Sequence, residues 1–192
     1  MKHRLAIVLA LTAALALVGV ALALAGCSGG SSSNYTQERT TLSGADIAYE
    51  YPTGYQMPSG GIGVNAVTYL HYLGKVEMYN ADVMLFIETD NITPNQTAAD
   101  MLDQSITAIM KSTQGFQLIK RTTTKVAGYD AELFAFTATF TDTPLDSTTT
   151  TTWVAYFTRG DRVWELGVMA DSDIGDVAKT EYQHLVDSFS FN

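Results

Sequence analysis

The chain has 192 residues, of which 20 are acidic and 11 are Lys or Arg, so its formal net charge is −9. This acidic balance argues against a nucleic-acid partner, because few cations are available to neutralise phosphates. Cys27 is the only cysteine, which excludes a disulfide within the chain, so the folded part must be stabilised by packing. The length is sufficient for one domain with a sizeable core.

The N-terminal residues have the three-part pattern of a secretory signal. Lys2 and Arg4 provide a cationic start, and residues 5–25 contain no charged side chain. The apolar run ends in Leu24-Ala25-Gly26-Cys27, with two small residues directly before the cysteine. This pattern predicts export, with residues 1–26 as the signal peptide.

The four residues that end in Cys27 resemble the lipobox of bacterial lipoproteins. The resemblance implies that the sulfur of Cys27 receives a diacylglyceryl group and that the chain is cleaved between Gly26 and Cys27. Two acyl chains hold a protein on a membrane more firmly than one chain does. An uncleaved transmembrane segment and a soluble secreted protein with a free thiol remain alternatives. All three place the domain on the extracytoplasmic side of the cell membrane.

Residues 27–43 are predicted to form the lipidated cysteine and a flexible tether. The segment begins with a run of Ser and Gly and stays polar up to Ser43. Such a coil has an end-to-end distance of about 20–24 Å for some 16 residues, which clears the lipid headgroups. The folded domain is therefore expected to cover residues 44–192. Because the signal contains two cations and no acid, the mature chain has a net charge of about −11.

Alternation of apolar and polar residues predicts three strands in the first part of the domain. The first covers residues 47–51 and ends at Pro52 and the turn Thr53-Gly54. Residues 62–73 form the second strand, after a Gly-rich turn. Residues 82–89 form the third, whose more continuous apolar character predicts a central position.

The hydrophobic period then changes to three and four residues, which predicts a helix of about four or five turns. Thr93-Pro94-Asn95-Gln96 fits a capping box with proline at the first helical position, and Gly115 is expected to end the helix. The predicted apolar face consists of Ala98, Met101, Leu102, Ser105, Ile106, Ile109 and Met110.

Four strands and a second amphipathic helix complete the predicted domain. Acidic residues open this helix and suit the positive charge of a helix start. The last residues, Phe189-Ser190-Phe191, are expected to pack against the sheet, and the run Thr148–Thr152 is expected to be an exposed strand or a loop. The four strands are predicted at residues 116–126, 130–141, 148–158 and 162–170, with turns at Ala127-Gly128 and Gly160-Asp161.

These elements predict an α+β domain. Short links between the later strands favour a mostly antiparallel sheet of about six to seven strands. The central strands carry large apolar residues on both faces, so helices are expected on both faces of the sheet, giving three layers.

Several of these local motifs resemble PsbP-like domains. Tyr51-Pro52-Thr53-Gly54-Tyr55 is similar to a proline-glycine-aromatic signature near the start of such domains, although Tyr55 stands where tryptophan is more usual. Residues 126–131 before a long strand, the Gly160-Asp161 hairpin and a helix that ends in Ser188-Phe189 also match. The family includes bacterial lipoproteins of the LpqN type. The resemblance covers nearly the whole domain, implies a binding or assembly role, and supplies no catalytic residues.

Tyrosines crowd the first third of the domain and form the candidate binding surface. We assign this surface to Tyr51, Tyr55, Tyr69 and Tyr72, because tyrosine combines apolar area with a polar tip. The alternative is ordinary sheet packing with the hydroxyl groups at the edges of the sheet.

The sequence predicts no catalytic residue, no metal site and no cofactor. His71 and His184 belong to no matched set of ligands. Residues 171–176 resemble a calcium loop only faintly, because the glycine is one position early and Tyr182 stands in place of the closing glutamate. Nucleophile elbows and phosphate loops are absent from the sequence, and nothing singles out a pair of carboxylates for glycoside hydrolysis.

The leading interpretation is a non-enzymatic lipoprotein, anchored through lipid on Cys27, whose domain binds a protein partner or assists assembly at the cell surface. One alternative is a surface lipoprotein that binds a small ligand or an ion through the tyrosine-rich region and the acidic loops. An extracytoplasmic hydrolase is the third interpretation.

Overall fold

The computed structural model describes residues 34–58, 61, 63–71, 81–140 and 149–192. These residues form nine strands and two α-helices, and a short 3₁₀ turn leads into the second helix. The strands are β1 (Tyr35–Leu42), β2 (Ala45–Pro52), β3 (Ala66–His71), β4 (Val83–Asn91), β5 (Gln114–Val126), β6 (Tyr129–Thr139), β7 (Thr149–Arg159), β8 (Arg162–Asp171) and β9 (Ser190–Phe191), and the helices are α1 (Ala98–Ser112) and α2 (Gly175–Ser188).

The strands form two sheets instead of the single sheet that was predicted. The larger sheet has six strands in the order β3-β4-β8-β7-β6-β5, and the smaller has three in the order β1-β2-β9. All neighbouring strands are antiparallel, so the predicted antiparallel α+β class is confirmed. β4 pairs on both sides, with β3 and β8, as its apolar character predicted. β3 and β5 form the two edges of the larger sheet.

The folded domain begins earlier than the sequence indicated. The tether was predicted to reach Ser43, but Tyr35–Leu42 forms strand β1 and pairs along its whole length with β2. β1 is an edge strand with only one partner, and its side chains are mostly polar, so it lacks the apolar alternation of the other strands. Leu42, at its end, is fully buried. Of the predicted tether, only residues 27–34 precede β1.

Helix α1 begins one turn later than predicted. Thr93 and Gln96 do interact, since the backbone N–H of Thr93 donates to Oε1 of Gln96 at 3.1 Å, but Asn95 has a φ of +70°, so these residues form a turn. The capping box is at Thr97 and Asp100. Each backbone N–H donates to the side chain of the other residue, at 2.8 and 3.1 Å.

Alternate residues of β7 belong to two different hydrophobic clusters. Trp153, Ala155 and Phe157 cluster with buried residues of α2, whereas Val154 and Tyr156 cluster with buried residues of α1. Each helix therefore buries its apolar side against the six-stranded sheet. The neighbouring strand β6 is divided in the same way: Phe134 and Phe136, and Phe140 directly after the strand, belong to the α1 cluster, whereas Leu133 and Ala135 belong to the α2 cluster.

The threonine run at the start of β7 is buried, so the prediction of an exposed segment is wrong for most of it. Thr150, Thr151 and Thr152 are 0%, 7% and 2% exposed. The physical reason is that β7 is an interior strand between β6 and β8. Threonine tolerates this position because its hydroxyl can bond to the backbone, as Thr150 does by donating to the carbonyl of Ala138.

Among the described residues, neither helix is long and apolar enough to cross a bilayer.

Candidate functional sites

The predicted tyrosine surface is partly a core cluster. Tyr69 is 2% exposed, its hydroxyl lies 3.0 Å from that of Tyr49, and its ring stacks on Tyr51 with 4.0 Å between the ring centres. Burial raises the pKa of Tyr69. Tyr69 therefore packs inside the domain and offers no contact area to a partner. Tyr51 and Tyr55 are half-buried, so their role in binding stays a prediction, and Tyr72 lies outside the described residues.

The two histidines of the domain each stack on a tyrosine. The ring of His184 on α2 lies 3.4 Å from the ring of Tyr35 on β1, and its Nε2 lies 2.8 Å from Oε2 of Glu50 on β2. His71 stacks on Tyr55 with 4.8 Å between centres. The contacts of His184 join the β1–β2 hairpin to helix α2. The described part of the chain holds no group of three His, Cys, Asp or Glu side chains arranged for a metal ion.

Two half-buried glutamates face each other on neighbouring interior strands of the six-stranded sheet. Glu88 on β4 is the direct cross-strand partner of Glu165 on β8, and Glu165 is in turn the partner of Tyr156 on β7. The side chain of Tyr156 hydrogen-bonds with Ser105 on α1 and with Glu165. The four side chains form a continuous polar network from strand β4 to helix α1.

Desolvation makes this carboxyl pair unusually basic. Burial raises the pKa of both carboxyls; repulsion from Glu88 adds to the effect at Glu165, and repulsion from Asp90 adds to it at Glu88. Such groups are candidates for acid–base chemistry, because two close carboxyls can share one proton. The sequence did not reveal the pair, since the two residues are distant in the chain and only the strand register joins them. The available signal was a glutamate inside an otherwise apolar strand.

The surroundings of the carboxyl pair favour a structural role. The next cross-strand pair on the same face is Phe86 and Gly167, and the Phe86 ring lies so close to Gly167 that a Cβ there would collide with it. Met84 and Met169 follow and are 3% and 6% exposed. The carboxyls are therefore bordered by packed apolar side chains, and Glu165 takes its hydrogen bond from inside the domain.

Exposed apolar side chains occur where α1 meets the edge strand β5. Met110, in the last turn of α1, is 57% exposed, and Leu118 and Ile119 on β5 are 56% and 50% exposed. Only Val64 is more exposed among the large hydrophobic side chains that the structure describes. Met110 was predicted to lie on the buried face of the helix and Leu118 was assigned only to a strand, so their exposure is a finding of the structure.

Strand β5 runs back alongside helix α1, which brings Met110 and Leu118 to the same level. Nη1 of Arg121 lies 2.7 Å from Oδ1 of Asp103, so these two residues mark adjacent points on strand and helix. Met110 lies about 10 Å further along the helix, at about 1.5 Å per residue. Leu118 lies about 10 Å back along the strand, at about 3.3 Å per residue. Met110 and Leu118 are therefore at a similar distance from the Arg121–Asp103 ion pair, one along the helix and the other along the strand.

The charge around these side chains is opposite to that of the whole chain. Residues 104–129 contain four cations and no acid. Two of the cations are paired with acids just outside this range, Arg121 with Asp103 and Lys125 with Asp130. Lys111 and Lys120 are exposed and make no ion pair with any described residue. We name Met110, Lys111, Leu118, Ile119 and Lys120 the α1–β5 surface.

Strand β5 has a free edge beside this surface. In the described part of the chain it pairs only with β6, and nine of its 13 residues are exposed. Register shifts interrupt the pairing near Gly115, which has a φ of +62° and lies inside β5 instead of ending α1 as predicted. The pairing is regular from Lys120 to Val126.

The predicted anchor residues cannot be placed on this fold, because Gly26 and Cys27 lie outside the described residues. Their predicted roles in signal cleavage and lipid attachment rest on the sequence pattern alone.

No protein-family model and no curated protein sequence matches the chain. Solved structures do match it. The cyanobacterial PsbP protein (CyanoP) from Synechocystis has a TM-score of 0.54 at 15% identity, covering 88% of this chain and 99% of that chain. LpqN from Mycobacterium tuberculosis, which is involved in cell envelope biogenesis, has a TM-score of 0.56 at 11% identity, covering 83% and 92%. The Ran-binding protein Mog1p from Saccharomyces cerevisiae has a TM-score of 0.52 at 12% identity, covering 81% and 95%.

At such low identities the similarity establishes the fold alone. The share of each chain that is covered shows that the similarity extends over nearly the whole domain. The chain therefore has a PsbP-like α+β fold, as its local motifs predicted.

Proposed function

We propose that this protein is an extracytoplasmic lipoprotein, anchored on the cell membrane through Cys27, whose domain binds a protein partner or assists assembly there. The observation that carries the proposal is the α1–β5 surface. Three exposed apolar side chains lie within residues 104–129, a stretch that has four cations and no acid in an otherwise acidic chain. Such a surface offers a partner both apolar contact area and selection by charge. The neighbours support a non-enzymatic interaction role, since one binds Ran and another takes part in envelope biogenesis.

The anchor is supported by the sequence pattern that precedes the domain. A cationic start, an apolar run and the residues 24–27 are the parts that lipid attachment requires. The earlier start of the domain shortens the tether to residues 27–34, for which a flexible coil has an end-to-end distance of about 14–17 Å. Cys27→Ser is expected to release the protein from membranes. Unchanged mass and unchanged membrane retention in this variant would exclude lipidation.

The finer arrangement that we propose places α1 and α2 on opposite faces of the six-stranded sheet. The alternation of β7 residues between the two hydrophobic clusters supports it. The tether joins β1, which contacts α2 through Tyr35 and His184. Leu118 is opposite Phe136 of the α1 cluster, so it would lie with Met110 and Lys111 on the face away from the strand that receives the tether. Lys120 is opposite Ala135 of the α2 cluster and would extend from the same strand edge toward the other face.

A photo-crosslinking residue at position 118 tests the proposed function. Replacing Leu118 with benzoylphenylalanine in the native cells should give a discrete protein adduct after illumination. Val177 on α2, 37% exposed, is the matched control position because it is also an exposed aliphatic side chain. No adduct from Leu118, or the same adducts from both positions, would contradict a partner at this surface.

A further inference from the structure

We propose that the partner contributes an extended acidic segment, which adds as a strand to the free edge of β5 and covers the α1–β5 surface. This inference rests on the proposed function and specifies the chemistry of its partner. The juxtaposition that carries it is the long, exposed edge of β5, which has no second strand partner among the described residues, together with the exposed Leu118 and Ile119 and the lysines at positions 111 and 120, which make no ion pair there.

The backbone of β5 is suited to strand addition. From Lys120 to Val126 the pairing with β6 is regular, so the N–H and C=O groups of the opposite edge are held in line. This stretch includes Thr122, Thr123 and Thr124, which are β-prone, and the strand contains no proline. Added strands gain affinity from main-chain hydrogen bonds and selectivity from alternate side chains.

The charges select an acidic segment. Within residues 104–129, which contain no acid, Lys111 and Lys120 are the two cations that make no ion pair with any described residue. Carboxylates of an added segment could pair with these lysines, and its apolar side chains could cover Leu118 and Ile119. A cationic segment would meet four like charges in the same stretch.

The same features argue against a second copy of this chain and against a lipid surface. Two β5 edges paired with each other would bring cations of one copy close to cations of the other, which is unfavourable. Lysines and bulges on an edge strand are known to limit such pairing. An anionic bilayer presents an extended plane of charge, and the mature chain, at about −11, would be repelled from it. A short segment meets only the local positive field, because salt screens more distant charges within about 8–10 Å.

A designed peptide tests strand addition directly. The probe is a fluorescent eight-residue peptide of alternating Glu and Val, titrated into the full-length protein in detergent and followed by anisotropy. A second peptide carries an N-methyl group on every residue, which removes the N–H donors of both strand edges and keeps the side chains. A third has Lys in place of Glu.

The inference predicts saturable binding of the Glu peptide, at least about tenfold weaker binding of the N-methylated and Lys peptides, and a similar loss with the K111E/K120E protein. Hydrogen exchange at alternate amides of residues 120–126 should slow when the Glu peptide binds. Equal binding of the N-methylated peptide would overturn strand addition.

The outcomes for this inference and for the proposed function are distinguishable. If the Glu peptide does not bind while position 118 still gives a protein adduct in cells, the inference is wrong and the proposed function stands. If position 118 crosslinks only to lipid, the surface contacts the membrane and both are wrong. If it gives no adduct at all, the proposed function is wrong.

Discussion

The Glu88–Glu165 pair and the α1–β5 surface differ in the surroundings of their ionisable groups. The two glutamates lie on interior strands and are connected through Tyr156 to Ser105 on helix α1. Lys120 on the edge strand β5 and Lys111 on helix α1 are exposed and have no ion partner in the described part of the chain. The pair has the perturbed pKa values that often mark a functional site, yet its partners are internal. The lysines of the surface, in contrast, are exposed to solvent.

This difference separates a group that supports the fold from a group that is available to a partner. Changes near the carboxyl pair should therefore alter stability, whereas changes at the α1–β5 surface should alter binding and leave stability almost unchanged. The following predictions are ordered by the expected change in the free energy of unfolding, from largest to smallest.

Gly167→Ala should destabilise the domain by about 1–3 kcal/mol, because the new Cβ would collide with the Phe86 ring inside the packed sheet face. Urea unfolding measures this change. Gly63→Ala is the matched control, since a Cβ there meets only backbone atoms at 3.7 Å or more, which is ordinary contact. A Gly167→Ala protein as stable as the control would show that the face beside the carboxyl pair is loosely packed.

Tyr156→Phe should lower the free energy of unfolding by about 1–2 kcal/mol at neutral pH, because it removes the hydroxyl that links Ser105 to Glu165. Tyr129→Phe serves as the control. Its hydroxyl is at the surface and accepts from Nε of Arg159 at 3.2 Å, so its loss should have little effect. Equal effects of the two substitutions would contradict the view that the interior network stabilises the fold.

Glu165→Gln should flatten the dependence of stability on pH. Both carboxyls of the pair have raised pKa values in the folded state, so the folded protein binds more protons than the unfolded chain above the ordinary glutamate pKa of about 4.3. Their contribution to the free energy of unfolding must therefore fall as the pH rises from about 5 to about 8. The substitution removes one titrating group and its repulsion of Glu88. Stability curves measured by urea unfolding at several pH values should have a smaller downward slope in Glu165→Gln, and an unchanged slope would show that the pair does not titrate in this range.

The K111E/K120E double variant should change the free energy of unfolding by no more than about 0.5 kcal/mol, because both side chains are exposed and unpaired among the described residues. R39E/K179E is a control with the same change in net charge, on β1 and α2. A clear loss of stability in K111E/K120E but not in R39E/K179E would mean that Lys111 and Lys120 stabilise the fold, which would contradict their assignment to partner binding alone.

The sequence was sufficient to predict the elements that alternate clearly and the antiparallel class. It failed at β1, whose polar residues form an edge strand with one partner, and at the start of α1. Thr93–Gln96 and Thr97–Asp100 both have capping-box spacing, and only the second is followed by helical backbone. Local patterns cannot decide between them, because the choice depends on where the helix packs.

The candidate sites depended on information that local patterns do not contain. Glu88 and Glu165 meet only through the β4–β8 register. Tyrosine is a residue type that suits a binding surface, but Tyr69 is only 2% exposed. Leu118 and Ile119 have the composition of a buried strand, and their exposure follows from the position of β5 at the edge of the sheet. In each case the residue type can be read from the sequence, but the residues that surround it in the fold cannot.

The most direct test of the central claim is the yield of the protein adduct from a photo-crosslinker at position 118 in intact cells, measured in the K111E/K120E and R39E/K179E backgrounds. We expect the adduct to be lost, by at least about tenfold, in K111E/K120E and to persist in R39E/K179E. Equal yields in the two backgrounds would contradict the assignment of the α1–β5 surface as the site that recognises a partner.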